Sequence, residues 1–186
     1  MKKLFLVGAL ALFAAGNAQT FGLKAGMNVS SLSNFDESKS KIGLNAGIFM
    51  NAPLAESFSI QPELLYNSKG AKADIDNFDV TFNLDYLSVP VMFQYNATPQ
   101  FYLEAGPEFS FLMSGKIKAD GESEDIKDDL NSFDFGVGLG AGYYFTPNFG
   151  LTARYVAGFS DVVKDNPDDA VKNNVFQVGL AYKFGK

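Results

Sequence analysis

The chain has 186 residues, 47% of them apolar and 15% aromatic, with 15 basic and 21 acidic residues and a net charge of −6. That composition is too hydrophobic for a disordered chain, and the length suits one domain. Cys and His are both absent. Their absence removes disulfides, thiol chemistry and the usual zinc, haem and iron–sulfur ligands, together with the commonest general base.

Met1-Lys2-Lys3 is a short basic start, and Leu4 to Ala15 is an apolar run followed by the small residues of Gly16-Asn17-Ala18. The run is too short to span a bilayer, which takes about 20 residues, and the pattern is that of an export signal over residues 1–18. Cleavage before Gln19 leaves residues 19–186 as one domain and removes two lysines but no acid, so the mature chain is more acidic still. Such a surface gives no reason to expect nucleic-acid binding.

From Phe21 onward the repeating signal is alternation with a period of two, which marks strands with two unlike faces. Phe21–Ser30, Lys41–Ala52 and Phe58–Asn67 each set apolar residues against Gly, Asn, Ser, Gln, Lys or Glu. The fourth segment, Thr81–Tyr95, changes parity: Val80, Phe82 and Leu84 are even-numbered, whereas Leu87, Val89, Val91, Phe93 and Tyr95 are odd. A bulge near Asp85–Leu87 is expected to restore one face. Segments at Phe101–Ser114, Phe133–Phe145, Phe149–Ser160 and Phe176–Phe184 complete eight strands. Short connections fall at Pro53–Ser57, Asn96–Gln100 and Thr146–Asn148, and long polar ones near Ser31–Lys41, Ser68–Val80, Gly115–Asn131 and Asp161–Asn173. Alternating short and long connections describe an all-β, eight-stranded antiparallel up-and-down meander with both termini on the short-turn side.

Alternation alone leaves open which face meets solvent. The polar face is rich in Gly, which weakens a water-exposed strand but fits the crowded interior of a narrow barrel. Aromatic residues stand at both ends of the apolar face: Phe21, Tyr95, Phe101, Phe145, Phe149 and Phe184 at one, Tyr66, Phe111, Phe133, Phe159 and Phe176 at the other. Two such girdles are expected of a transmembrane β-barrel with its apolar face in lipid.

The C-terminal Gln177-Val178-Gly179-Leu180-Ala181-Tyr182-Lys183-Phe184 resembles the barrel-assembly signal of outer-membrane proteins, with Gln177, Gly179, Tyr182 and Phe184 at its key positions. Phe21–Asn28, Gln61–Tyr66 and Leu84–Val91 are similar to the PorT-like "porin family" outer-membrane β-barrel proteins. The resemblance implies an outer-membrane location in a Gram-negative cell envelope and insertion by the barrel-assembly machinery. It does not imply channel activity.

The face opposite the lipid carries Lys24, Glu63, Glu104, Glu108, Asp134, Arg154 and Lys183. Charges inside a narrow barrel are costly unless paired, so a lumenal charge network is expected, acting as a static plug or as a polar conduction path. The long loops carry the acidic clusters Asp74/Asp76/Asp79, Asp120 to Asp129 and Asp165/Asp168/Asp169, expected to be solvated, with no EF-hand spacing. No catalytic site, metal or cofactor is expected. Glu104 and Glu108 are about 13 Å apart along one strand, too far to share one bond in acid–base chemistry. The expectation is a monomeric outer-membrane barrel, in contact with lipid and, through its loops, with envelope or extracellular proteins, in a structural or surface-interaction role. A small channel for water, ions or solutes is the alternative; a soluble periplasmic ligand-binding barrel is a weaker third.

Overall fold

In a computed structural model, residues 19–34, 38–75, 78–119, 122–167 and 169–184 are described. The expected signal segment therefore lies outside them, as do Asp76, Asp120 and Asp168. The strands are β1 (Thr20–Leu32), β2 (Ser38–Ala55), β3 (Phe58–Ile75), β4 (Phe78–Asn96), β5 (Phe101–Ala119), β6 (Glu122–Asp125), β7 (Phe133–Tyr144), β8 (Phe149–Gly158) and β9 (Asn173–Lys183). Eight of them, all but β6, pair with their neighbours in an antiparallel ring that β1 closes against β9. The ring leaves no open edge at membrane depth, which is what hydrocarbon requires of a sheet.

The apolar face is outside. Met27, Ile42, Leu44, Ile48, Phe93 and Leu139 are each at least half exposed, Leu139 at 68%. The opposite face buries Lys24, Glu63, Glu104, Glu108, Asp134 and Arg154 to 7% exposure or less. Both girdles form. Phe145, Phe149, Tyr182 and Phe184 make a chain of rings at the short-turn end, with centroids 5.5, 6.1 and 6.0 Å apart. Phe111–Phe133 and Phe135–Phe159 mark the loop end. The start of β1 and the end of β9 meet at the short-turn side, where the Phe184 amide donates to the Phe21 carbonyl.

Two expectations need correction. The segment Ser68–Val80 is not a loop: β3 and β4 stay paired from Ser68↔Asp85 to Ile75↔Phe78. Its polar composition suits a hairpin that continues beyond the aromatic girdle. The bulge is also not in β4. The β3–β4 ladder runs through Asp85–Leu87 without a shift, whereas in β4–β5 Asp85 faces Ser114 and Tyr86 faces Leu112, so Met113 of β5 is the extra residue. Val80 and Leu84 consequently stay on the inner face of β4, 7% and 1% exposed. The parity change in the sequence marks a change in what the interior needs, from polar to apolar, and not a change of face.

The loop end is folded over the lumen. The β5–β7 connection holds β6 against β5 and a single 3-10 turn at Lys127–Asp129. Leu130 then bridges to Val163 of the β8–β9 connection. Asn131 donates to the carbonyls of Asp161 and Val163, and the Asp161 carboxylate accepts from the amides of Val163 and Val171. Leu130, Val162 and Val171 are thereby packed on Leu32, Ala71, Leu84, Tyr86 and Leu112 as an apolar lid.

Candidate functional site: the filled lumen

The inward residues of β3 present the lumen in layers, in order from the short turns to the loops: Ser59, Gln61, Glu63, Leu65, Asn67, Lys69 and Ala71. Because side chains alternate, every second residue of one strand addresses the interior. Glu63, Asn67 and Lys69 reach residues on strands that are not their neighbours.

At the short-turn end Phe49, Tyr102, Tyr144 and Ala181 form a buried apolar cluster. Two glycines make room for it. A Cβ at Gly22 would collide with the Phe49 ring, and one at Gly142 with the Tyr102 ring. Lys183 stands apart from the lumenal ion pairs, its ammonium 3.7 Å from the Tyr144 ring centroid in a cation–π contact. Above this seal Asn51 donates to Ser59, Gln61 and Gln94, joining β2, β3 and β4 through polar side chains.

The central layer is ionic. The Arg154 Nη1 and Nη2 atoms donate to Glu63 Oε2 and Oε1 at 2.9 and 2.8 Å, a bidentate fork across the barrel. Its Nε donates to Glu104 Oε1 at 2.8 Å, and Lys24 Nζ reaches Glu63 Oε1 at 2.6 Å. Gln61 and Gln94 donate to the same two carboxylates. Two cations thus face two carboxylates, with amide donors satisfying further lone pairs, the condition under which buried charge is tolerated. The next layer is made of amides: Asn28, Asn45, Asn67 and Gln177 bond to one another across four strands.

A second ionic layer lies nearer the loops. Lys69 Nζ donates to Glu108 Oε1 at 2.9 Å and lies 3.7 Å from Asp134 Oδ2, while Asn173 donates to that same Asp134 oxygen. Ser110 and Ser88 complete it, and the Lys69 ammonium lies 5.1 Å from the Tyr86 ring centroid. Beside the central layer lies a cavity of about 10 Å³ lined by Lys24, Asn45, Glu104, Thr152, Arg154 and Gln177, among others. That is room for about one water molecule at most.

The structure therefore brings Lys24, Glu63, Glu104 and Arg154 into one cluster and Glu108 and Asp134 into another, and sets Lys183 aside. Glu104 and Glu108 bond different cations, Arg154 and Lys69. Lys69 is the residue that sequence reasoning missed. Its odd number places it on the inward face of β3 with Gln61 and Glu63, but the polar stretch from Ser68 hid the continuation of the strand. In the C-terminal motif, Gln177 faces inward and donates to Asn67, Gly179 packs against Gly26, and Tyr182 and Phe184 face outward.

A closed antiparallel ring with an apolar belt, two aromatic girdles and a charged, packed interior defines the small outer-membrane β-barrels. The family model described as outer membrane protein beta-barrel domain matches residues 17–164, and the protein belongs to that family. Among solved structures, neisserial surface protein A is similar at a TM-score of 0.61 and 17% identity, over 90% of this chain and 100% of that one. The attachment invasion locus protein of Yersinia pestis, Ail, gives 0.54 and 18% identity over 89% and 98%. A major outer membrane protein from Thermus thermophilus gives 0.54 and 15% over 90% and 100%. Identities this low speak for the fold alone. No curated protein matches the chain by sequence.

Proposed function

We propose that the protein is a non-conducting, non-enzymatic barrel of the outer membrane that gives the envelope a stable anchor and presents its loop end as a contact surface. The observation that carries this reading is the filled lumen: two ion-paired layers and an amide layer between an aromatic seal and an apolar lid. A solute path would have to break buried ion pairs and displace both seals. The exposed apolar belt speaks against the soluble, ligand-binding alternative, because a soluble barrel would turn that belt inward.

In this reading residues 1–18 are the export signal, residues 19–186 are the barrel, and the termini and short turns face the periplasm. The C-terminal Gln177, Gly179, Tyr182 and Phe184 address the barrel-assembly machinery, consistent with their resemblance to its signal. The barrel acts as a monomer, with outer-membrane lipid on its belt and envelope or extracellular proteins at its loops. Its kinship is with the PorT-like porin family, on the segments Phe21–Asn28, Gln61–Tyr66 and Leu84–Val91. Ail, of the same fold, has been solved in complex with the heparin analogue sucrose octasulfate. A barrel of this fold can thus bind a ligand.

The test is conductance. Purified protein in a planar lipid bilayer is expected to give no discrete current steps at moderate voltage. Reproducible steps that change with Arg154→Met or Glu108→Gln would replace this reading with a channel through the lumen.

A further inference from the structure

Beyond the loop-end girdle, the outer face of β2–β5 turns basic in a chain that is acidic overall. Tyr66, Leu87 and Phe111 stand side by side in one row, 41%, 37% and 49% exposed. Along the same face, Gly70, Asn83 and Lys116 form a row farther out, and Lys39, Lys72, Thr81 and Lys118 another beyond it. The displaced register at Met113 is what puts Lys116 and Lys118 on this face: without the extra residue they would point inward with Leu112. Lys39, Lys72, Lys116 and Lys118 are all exposed. Beneath them Lys41 Nζ is held by Ser68 Oγ and the Lys69 carbonyl at 3.1 and 2.8 Å. Asn83, between Gly70 and Lys116, has a buried Nδ2 with no hydrogen-bond partner. The register puts Asp74, Asp79, Asp85 and Asp125 on the same face, but Asp74 and Asp79 form the row beyond the lysines, and the five lysines against four acids leave the face positive. Elsewhere the loop end is acidic, with Asp128, Asp129, Asp161, Asp165 and Asp169 outnumbering Lys127, Lys164 and Lys172.

We propose that this basic face binds the phosphate groups of a phosphorylated glycolipid in the surrounding outer leaflet. Charge complementarity and continuity with the lipid-facing belt select the occupant, and height selects its class. The two rows lie four and six residues beyond Tyr66, about 13 and 20 Å along the strand, or about 10 and 15 Å along the axis of a barrel with tilted strands. The headgroup layer of an ordinary phospholipid leaflet is only about 5–7 Å thick. A headgroup of phosphorylated sugars extends that far; a phosphodiester next to the glycerol does not. The inference rests on the proposed orientation, with the loop end outward.

The experiment uses full-length mature protein in detergent micelles doped with rough lipopolysaccharide, untreated or phosphatase-treated. Retention of lipid through size exclusion is compared for the native chain, a Lys72→Gln/Lys116→Gln/Lys118→Gln variant and a Lys127→Gln/Lys164→Gln/Lys172→Gln control. The native chain and the control are expected to retain the phosphorylated form at least about fivefold better than the treated form, the scale of one lysine near an anionic surface. The first variant is expected to lose that preference, as is the native chain at high salt. Equal retention of both forms, an equal loss in the control, or full competition by inorganic phosphate or phosphatidylglycerol would overturn the proposal. Heat-modifiable gel mobility of each variant keeps a folding failure separate, and surface proteolysis of the loops in cells tests the orientation independently.

Discussion

Replacing Arg154 by Met is expected to lower the stability of the barrel by about 3–5 kcal/mol, the cost of leaving buried carboxylates without their cation. Arg154 holds both Oε atoms of Glu63 and the near oxygen of Glu104 from the wall opposite, so its loss strands the Glu104 charge and leaves Glu63 with Lys24 alone. Lys24, already on Glu63, is too far committed to replace it. Urea unfolding in lipid vesicles, followed by the disappearance of the fast-migrating folded band, measures the effect. The double change Arg154→Met, Glu104→Gln is expected to recover much of the loss, because it leaves Lys24 paired with Glu63 and no carboxylate without a cation. A single change that costs under 1 kcal/mol would mean that water reaches this layer and screens it. The filled-lumen reading would then fail.

The second large effect concerns the outside. Leu139 is the most exposed of the large apolar residues, placed in mid-strand on β7 between Val137 and Ala141. Changing it to Arg is expected to cost about 2–4 kcal/mol in a bilayer, as for cations near the midplane of a barrel wall. In a water-soluble barrel the same substitution on an exposed position would be close to neutral. Unfolding of Leu139→Arg in vesicles, set beside Lys127→Gln in a loop, separates the two cases, and a neutral result at Leu139 would remove the lipid belt from the account.

Much of this architecture could be read from the sequence because a barrel wall has one simple rule. Phe133, Phe135, Val137, Leu139, Ala141 and Tyr143 against Asp134, Gly136, Gly138, Gly140 and Gly142 is that rule in its plainest form, and β7 follows it residue for residue. The lumenal charges were legible for the same reason: a lysine, an arginine or a glutamate in step with glycines has to face inward. Alternation became unreliable where the interior ceased to be polar. Phe49 is in step with Gly43, Asn45 and Gly47 yet is apolar, since it seals the short-turn end together with Tyr102 and Tyr144. Val80 and Leu84 are apolar for the corresponding reason at the other end. A pattern that assigns apolar residues to lipid moves such residues to the wrong face and invents a bulge to explain them.

Pairing between distant segments was illegible for a different reason. Nothing local in Met113 announces a bulge; it follows from the register β5 must keep with β4 on one side and β7 on the other. Likewise the polar run from Ser68 reads as a loop because its composition matches water. A hairpin extending past the membrane meets water on its outer face too. Lys69 was lost with it, although the cation is what neutralises Glu108 and draws in Asp134. The docking of the two long loops depends on Asp161 capping the amides of Val163 and Val171, a contact of side chain with backbone that spacing does not reveal.

The measurement that tests the central claim most directly is gel mobility of the membrane fraction with and without boiling. A closed barrel whose apolar belt sits in lipid is expected to require detergent for extraction, to run fast when unheated and to slow to its full chain length when boiled. A protein that leaves the cell extract in aqueous buffer and shows one mobility under both conditions would contradict the account, and would place the apolar face inside.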